Sequence, residues 1–395
     1  MIINILKLQY LIGYFINEKT LKMQKNNFLF NLLYFFILVI FSIYLFEFYL
    51  SYKQISKKNH KFKLVNKTIE NNENNFWTVF PNTMLGDNLK TFPLSGYSNI
   101  NTFDCDEENL GNYSNFNSDR YGFRNDDTLW DNEKKIFLIG DSYTLGQCVN
   151  QGHNISEHMQ KKIGDDYSII NLGMAGNGQL IEYAGLREYA ENETVDKIVM
   201  FFWFNDFSNL VNERNNKILN KYLENDNFSQ NLKLKQKEIN KIVTNKLLTE
   251  LEIYKNISYF TYIKNFIFLK YTRSIIRNSL FKNNTGYSEI NEDLLKFHLK
   301  VLKKTKSFSQ KKNAELIIFY IPYYRDISFN NYVFNLLKIN AEEANIELVN
   351  IKDYFIKSGT DKNIELLYPN GSLFNHYNSF GYKAISDIVI EYLKN

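Results

Sequence analysis

From Lys134 onward, short and almost wholly apolar stretches alternate with helix-patterned ones. They are IFLIG (136–140), YSIIN (167–171), KIVMFFWF (197–204), AELIIFYIP (314–322) and IELVNI (346–351). A strand with no polar face is buried on both faces, so helices must cover both sides of its sheet. Helical patterns at 155–163, 180–190, 332–344 and 380–393 supply them. The chain is therefore expected to form an α/β fold with a parallel sheet between two helical layers. Residues 209–311 break the rhythm. They are charged and helix-patterned, and read as a helical insertion between the third and fourth strands.

A second feature does not belong to that fold. FLFNLLYFFILVIFSIYLFEFYL, residues 28–50, is interrupted only by Asn31, Ser42 and Glu47. It shows no polar face, and a helix of this length crosses a bilayer core of about 30 Å. No small-residue cleavage site follows it, so it reads as one uncleaved transmembrane helix. Residues 1–27 form an N-terminal tail in which Met23 is an alternative start. Residues 51–130, polar and rich in turn signals, read as a stalk and a loop-rich lead-in to a domain spanning 131–395.

The 47 basic and 43 acidic residues leave a net charge of +4, too mild a balance to indicate a nucleic acid partner. Two cysteines, Cys105 and Cys148, are too few for a disulfide scaffold and lack metal-ligand spacing. By themselves they are equally one bridge or two thiols. Four prolines in 395 residues argue against long Pro-rich linkers.

Ligands of open α/β sheets bind beyond the carboxyl ends of the strands. Three such ends carry unusual groups: Gly140-Asp141-Ser142, Asn171 followed by Gly173, Gly176 and Gly178, and Asn205-Asp206. A serine needs a base to lose its proton and donors for the oxyanion that follows. Ser142 opens a helix, whose free N–H groups favour negative charge. Its own N–H, a close glycine N–H and the Asn205 amide are candidate donors. Five histidines are candidates for the base. His60 lies beside the apolar run, His153 and His158 in or near the helix after Ser142, and His298 in the insertion. His376, in the polar loop before the last helix, can lean over the strand ends. Other chemistries fail sooner. G-x-x-G-x-G has the wrong order for a dinucleotide fingerprint, and no phosphate-binding G-x-x-x-x-G-K-[ST] occurs. Asp165, Asp166, Asp206 and Glu213 lack a metal-ligand pattern.

GDSYTLG (140–146), NLGMAGNG (171–178), FND (204–206) and NHYNSFGY (375–382) resemble, in order, the four blocks of the SGNH (GDSL-type) hydrolase superfamily, in its membrane-anchored bacterial form. SDRYGFRN (118–125) is similar to the stretch that precedes the first block in many bacterial members. The resemblance implies a flavodoxin-like three-layer α/β/α sandwich and no cofactor. It implies Ser142 as nucleophile, His376 as base, and an oxyanion hole of Ser142 N–H, Gly176 N–H and Asn205. Asp141, Asn171 and Asp206 are the supporting residues. Two departures stand out. Trp203 occupies the place of the third block's glycine. No carboxylate lies between Glu365 and Asp387, where the family places an Asp shortly before the base. Either a polar group or carbonyl orients His376, or a distant Asp folds in.

Similar bacterial proteins carry a cysteine before the SDRYGF stretch and another in G-x-C-V. The resemblance thus implies a Cys105–Cys148 bridge and a domain outside the cytoplasm. A literal lysine count, with Lys19, Lys22 and Lys25 before the apolar run and Lys53, Lys57, Lys58, Lys61, Lys63 and Lys67 after it, points to the opposite side. The expected placement is the outer side of the inner membrane. The expected activity is a membrane-anchored esterase acting on O-acyl groups, acetyl above all, of a glycan or lipid. The alternatives are an O-acyltransferase modifying a cell-surface polysaccharide with a membrane acyl-donor protein, and a non-catalytic glycan-binding or assembly protein.

Overall fold

The computed structural model describes residues 28–56, 75–105, 113–164, 166–255, 259–280 and 290–394. The N-terminal tail, stalk residues 57–74 with His60 and most of the lysines that bear on orientation, and Asp165 lie outside them. The described chain forms two compact units: an N-terminal helix with residues 259–280, and the remainder.

The larger unit is built on five parallel strands: β4 (Lys134–Ile139), β5 (Ser168–Asn171), β6 (Thr194–Phe202), β7 (Glu315–Tyr320) and β8 (Glu347–Asn350). Their order is β5-β4-β6-β7-β8, the flavodoxin-like arrangement, with its topological switch between β4 and β6. Alternate side chains enter opposite cores. Leu316, Ile318 and Tyr320 of β7 join one cluster, and Ile317 and Phe319 the other. This period of two with both faces apolar is what made the strands read as unbroken apolar runs. Helices α4 (Gln179–Tyr189), α10 (Glu292–Lys311) and α11 (Ile327–Glu343) cover the first face. Helices α3 (Ile155–Ile163), α12 (Ile351–Ser358) and α13 (Ser379–Lys394) cover the second. The larger unit is thus a three-layer α/β/α sandwich.

Local chemistry shifts several element ends. β6 stops at Phe202 because the Trp203 N–H turns to donate to Asp206 Oδ2 at 2.8 Å. α11 begins at Ile327, earlier than the periodicity suggests, because Asp326 caps it by accepting from Phe329 N–H at 2.9 Å. The lead-in is less loose than its turn signals imply. It forms a small sheet, β1 (Asn75–Trp77), β2 (Asn101–Phe103) and β3 (Asn115–Asn117), and buries Met84, Phe92, Leu94, Phe123 and Trp130 in the main core.

The insertion between β6 and β7 is helical. Its first part comprises α5 (Asp206–Glu213), α6 (Lys217–Glu224) and α7 (Gln236–Lys255), of which Leu210, Leu219 and Val243 join the core. Residues 259–280, the helices α8 (Tyr259–Ile267) and α9 (Lys270–Leu280), belong instead to the smaller unit. There they pack with α1 (Phe28–Ser56), a turn or more longer than the apolar run. α1 is long and apolar enough to cross a membrane, and its large side chains are mostly exposed.

Candidate active site

The four sequence blocks meet at the carboxyl ends of β4, β5 and β6. Ser142 opens a short helix, α2 (Ser142–Leu145), immediately beyond β4. Asp141 caps it, accepting from Tyr143 N–H at 3.0 Å. Gly140 adopts φ +153°, and a Cβ there would stand 2.1 Å from Thr144 Oγ1, so only glycine makes this turn. Ser142 is 6% exposed. Its Oγ lies 2.8 Å from His376 Nε2 and 3.3 Å from Asp141 Oδ2.

The imidazole is fixed from several sides. His376 Nδ1 sits 3.6 Å from Cys148 Sγ, and Cys148 is disulfide-bonded to Cys105. A disulfide sulfur carries no proton, so it can only accept. The contact therefore favours the tautomer with hydrogen on Nδ1, leaving Nε2 to accept from Ser142 Oγ. The Tyr143 ring lies 5.0 Å from the imidazole and 4.3 Å from Trp203. Trp203, two residues before Asn205, packs there and against Tyr323. At the position two before the base, Phe374 is exposed beneath the Arg325 guanidinium.

An acid reaches the site from the lead-in. Asp104, next to the bridged Cys105, is 3% exposed. It accepts from Gln147 Nε2 at 3.0 Å and from Cys148 N–H at 3.5 Å. Burial pushes its carboxyl up, opposed by the Gln147 hydrogen bond and by the charge of His376. Nothing local in the sequence marks Asp104, which is 272 positions from His376; only the neighbouring cysteine hints at it.

The remaining expected residues fall into place around Ser142. Gly176 has φ +75°, and a Cβ there would meet Asn82 Nδ2 at 2.0 Å. Among the described residues the N–H groups of Ser142 and Gly176 have no hydrogen-bond acceptor. Asn205 is half-buried after β6, and its side chain bonds the Asp141 carboxyl. Burial pushes Asp141 up, while the bonds from Tyr143 N–H, Ser142 and Asn205 and the charge of His376 act against it. Asn171 ties two loops together: its amide donates to Thr144 O at 2.6 Å and its oxygen accepts from Gly173 N–H at 2.8 Å. Glu213 of α5 holds the glycine loop, accepting from Gly178, Leu180 and Ile181 N–H groups. Burial pushes its carboxyl up to about 7 against those three bonds.

SDRYGFRN clamps this frame. Arg124, 1% exposed, donates to Gly146 O at 2.7 Å, Val149 O at 3.0 Å and Asn150 O at 2.7 Å, and pairs with Glu157 at 3.2 Å. Asn125 pairs with the Asn171 backbone in both directions, at 2.8 and 3.0 Å. Asp119 holds the motif itself, accepting from Trp130 Nε1, Asn125 and two backbone N–H groups.

Other histidines lie elsewhere. His153 bonds Ser379 Oγ at 2.7 Å. His298 is fully buried against Phe202 and Phe207, and burial alone pushes its imidazole down to about 3. Among the described residues, no group of three or more His, Cys, Asp or Glu is placed to hold a metal ion.

No family model matches the chain. No curated protein matches it. Solved structures similar to it include a member of the lipolytic protein G-D-S-L family from Veillonella parvula DSM 2008, 14% identical over 65% of this chain and 97% of that one, with TM-score 0.35. The acetyl xylan esterase AlAXEase is 15% identical over 65% and 98% of the two chains, with TM-score 0.36. A lipase/acylhydrolase from Enterococcus faecalis is 16% identical over 66% and 95%, with TM-score 0.35.

Proposed function

We propose that this chain is a membrane-anchored serine esterase of the SGNH type, acting on small O-acyl groups of a glycan or lipid. One observation carries the reading: Ser142 Oγ stands 2.8 Å from His376 Nε2 at the switch point of a parallel sheet. Ser142 Oγ attacks the acyl carbonyl while its proton passes to His376 Nε2. The developing oxyanion is received by the N–H groups of Ser142 and Gly176 and the Asn205 amide. Collapse breaks the ester C–O bond, and the leaving alcohol takes the proton from Nε2. Water then gives its proton to Nε2 and attacks the acyl-serine; return of that proton to Ser142 Oγ releases the carboxylic acid. The Cys148 sulfur and the Asp104 carboxylate together take the place of the acid expected before the base. The Cys148 sulfur orients Nδ1–H, and the Asp104 carboxylate, which holds Gln147 and the Cys148 N–H, favours by its charge the imidazolium that forms.

The helix α1 is the anchor, and the Cys105–Cys148 bridge suits an oxidising compartment outside the cytoplasm. The test is release of acetate from acetylated oligosaccharides by the full chain in detergent micelles. Wild type should release it, and Ser142→Ala should lose at least about 10³-fold in kcat. Acetyl groups recovered on an added glycan, rather than as free acetate, would mark a sugar hydroxyl as acceptor. Equal rates in wild type and Ser142→Ala would exclude this site as the catalyst.

A further inference from the structure

The one acidic residue inside the apolar run has a structural task. Glu47 is fully buried, whereas most large side chains around it on α1 are exposed. Its carboxylate accepts from the N–H groups of Tyr271, at 3.1 Å, and Thr272, at 2.7 Å, in the first turn of α9. A negative group at a helix N-terminus is favoured there by the unpaired N–H groups and the dipole. One turn earlier on α1, Tyr44 OH donates to Ile267 O at 3.1 Å, and its ring lies 5.4 Å from that of Phe266. The end of α8 and the start of α9 are thus both pinned to α1 near residues 44–47. At ~1.5 Å per residue, Glu47 is about 5 Å short of the end of the apolar run at Leu50. That is the depth at which hydrocarbon gives way to headgroups.

The two helices carry the composition that such a depth selects. Between Tyr259 and Leu280 there are four cations, Lys264, Lys270, Arg273 and Arg277, and no acidic residue. Phe260, Ile263 and Ile267 follow one face of α8 and are 72%, 54% and 54% exposed. Phe268, Ile275 and Ile276 are also exposed. A groove of about 690 Å³ is lined by all four cations together with Phe268 and Ile276. A water-facing hairpin gains nothing from six exposed large apolar groups. A bilayer surface accommodates them, with the cations on lipid phosphates.

We propose that the α8–α9 hairpin is an interfacial membrane element. It lays its apolar side chains at the acyl boundary beside α1 and binds anionic lipid headgroups through Lys264, Lys270, Arg273 and Arg277. The proposal rests on the reading of α1 as a membrane anchor. The insertion is then a second attachment to the bilayer, selective for acidic lipid, that a single span lacks.

The test uses the full chain in lipid nanodiscs, with an environment-sensitive fluorophore on Ile40→Cys, Ile263→Cys or Ile276→Cys in turn. The discs contain neutral phosphatidylcholine alone or with anionic phosphatidylglycerol, and brominated lipids serve as depth-resolved quenchers. All three positions should be quenched, Ile40 by deep bromines and the hairpin positions by shallow ones. Hairpin quenching should rise at least about twofold with anionic lipid. A chain with Lys264→Gln, Lys270→Gln, Arg273→Gln and Arg277→Gln should lose that rise while Ile40 quenching persists. Quenching at Ile40 without quenching at Ile263 and Ile276 would overturn the proposal and leave the anchor standing. That holds equally if the hairpin labels prove to be covered by a second copy of the chain. No quenching at any position would remove the anchor and the proposal together.

Discussion

At Ser142, two groups compete for one hydroxyl proton. His376 Nε2 is 2.8 Å away and Asp141 Oδ2 3.3 Å. The shorter contact and the Nδ1–H tautomer favoured by Cys148 Sγ both direct the proton to histidine. In the proposed mechanism Asp104 acts through its charge and through its grip on Gln147 and Cys148. Asp104→Asn should therefore lower kcat by about 10–100-fold with little change in KM, because its charge matters once the imidazolium forms. The loss should be greatest at neutral and higher pH. Burial raises the Asp104 pKa, so in acid the wild-type group is itself protonated and the two proteins converge. A pH–rate profile of both decides this. A variant whose kcat matches wild type at every pH would remove Asp104 from the mechanism. The short motifs GDS, Asn171 with its glycines and the FND triplet were legible because strand ends and tight turns are local. Asp104 was not, because its approach to His376 depends on a tertiary contact across most of the chain.

Among the elements, α2 is the most dependent on its neighbours. It has four residues and cannot hold its own geometry. Arg124 satisfies three carbonyls that follow it, and Asn171 a fourth within it. Arg124→Gln should destabilise the fold by about 3 kcal/mol, since Glu157 loses its cation and buried carbonyls lose their donor. Thermal denaturation reads this, and a change under about 0.5 kcal/mol would contradict the clamp. Sequence similarity singled out SDRYGFRN, yet its task required seeing which carbonyls it meets.

Helix α4 offers a separate test by pH. Glu182 is buried, both its oxygens lack a hydrogen-bond partner among the described residues, and burial together with Glu213 and Asp141 raises its pKa well above the ordinary 4.5. Its folded pKa exceeds the unfolded one. Its contribution is therefore present below about 4.5 and lost as pH rises through the raised value. Glu182→Gln removes that dependence. The variant should match wild type in thermal stability near pH 5 and exceed it near pH 8. Equal curves at both would show that Glu182 ionises freely in the fold.

For the whole molecule, the parallel sheet was legible because both faces of each strand are buried, which leaves runs such as LIIFYI unbroken. The apolar span was legible for the opposite reason, having no polar face at all. The packing of the lead-in was not legible because turn residues dominate it, while the side chains that reach the core, among them Met84, Phe92, Leu94 and Phe123, are scattered between them. The division of the insertion was hidden too. α7 and α10 pack in the main core while α8 and α9 pack on α1, and helical periodicity does not say which surface a helix will meet. The bridge between Cys105 and Cys148 ties the lead-in to the candidate site, beside His376 Nδ1. The central claim is that Ser142 is an activated nucleophile. A fluorophosphonate probe, incubated with the folded full chain and mapped by mass spectrometry, tests it directly. Labelling at Ser142 that is absent in Ser142→Ala and falls by at least about tenfold in His376→Ala is the predicted result. An unlabelled Ser142 in folded protein would contradict it.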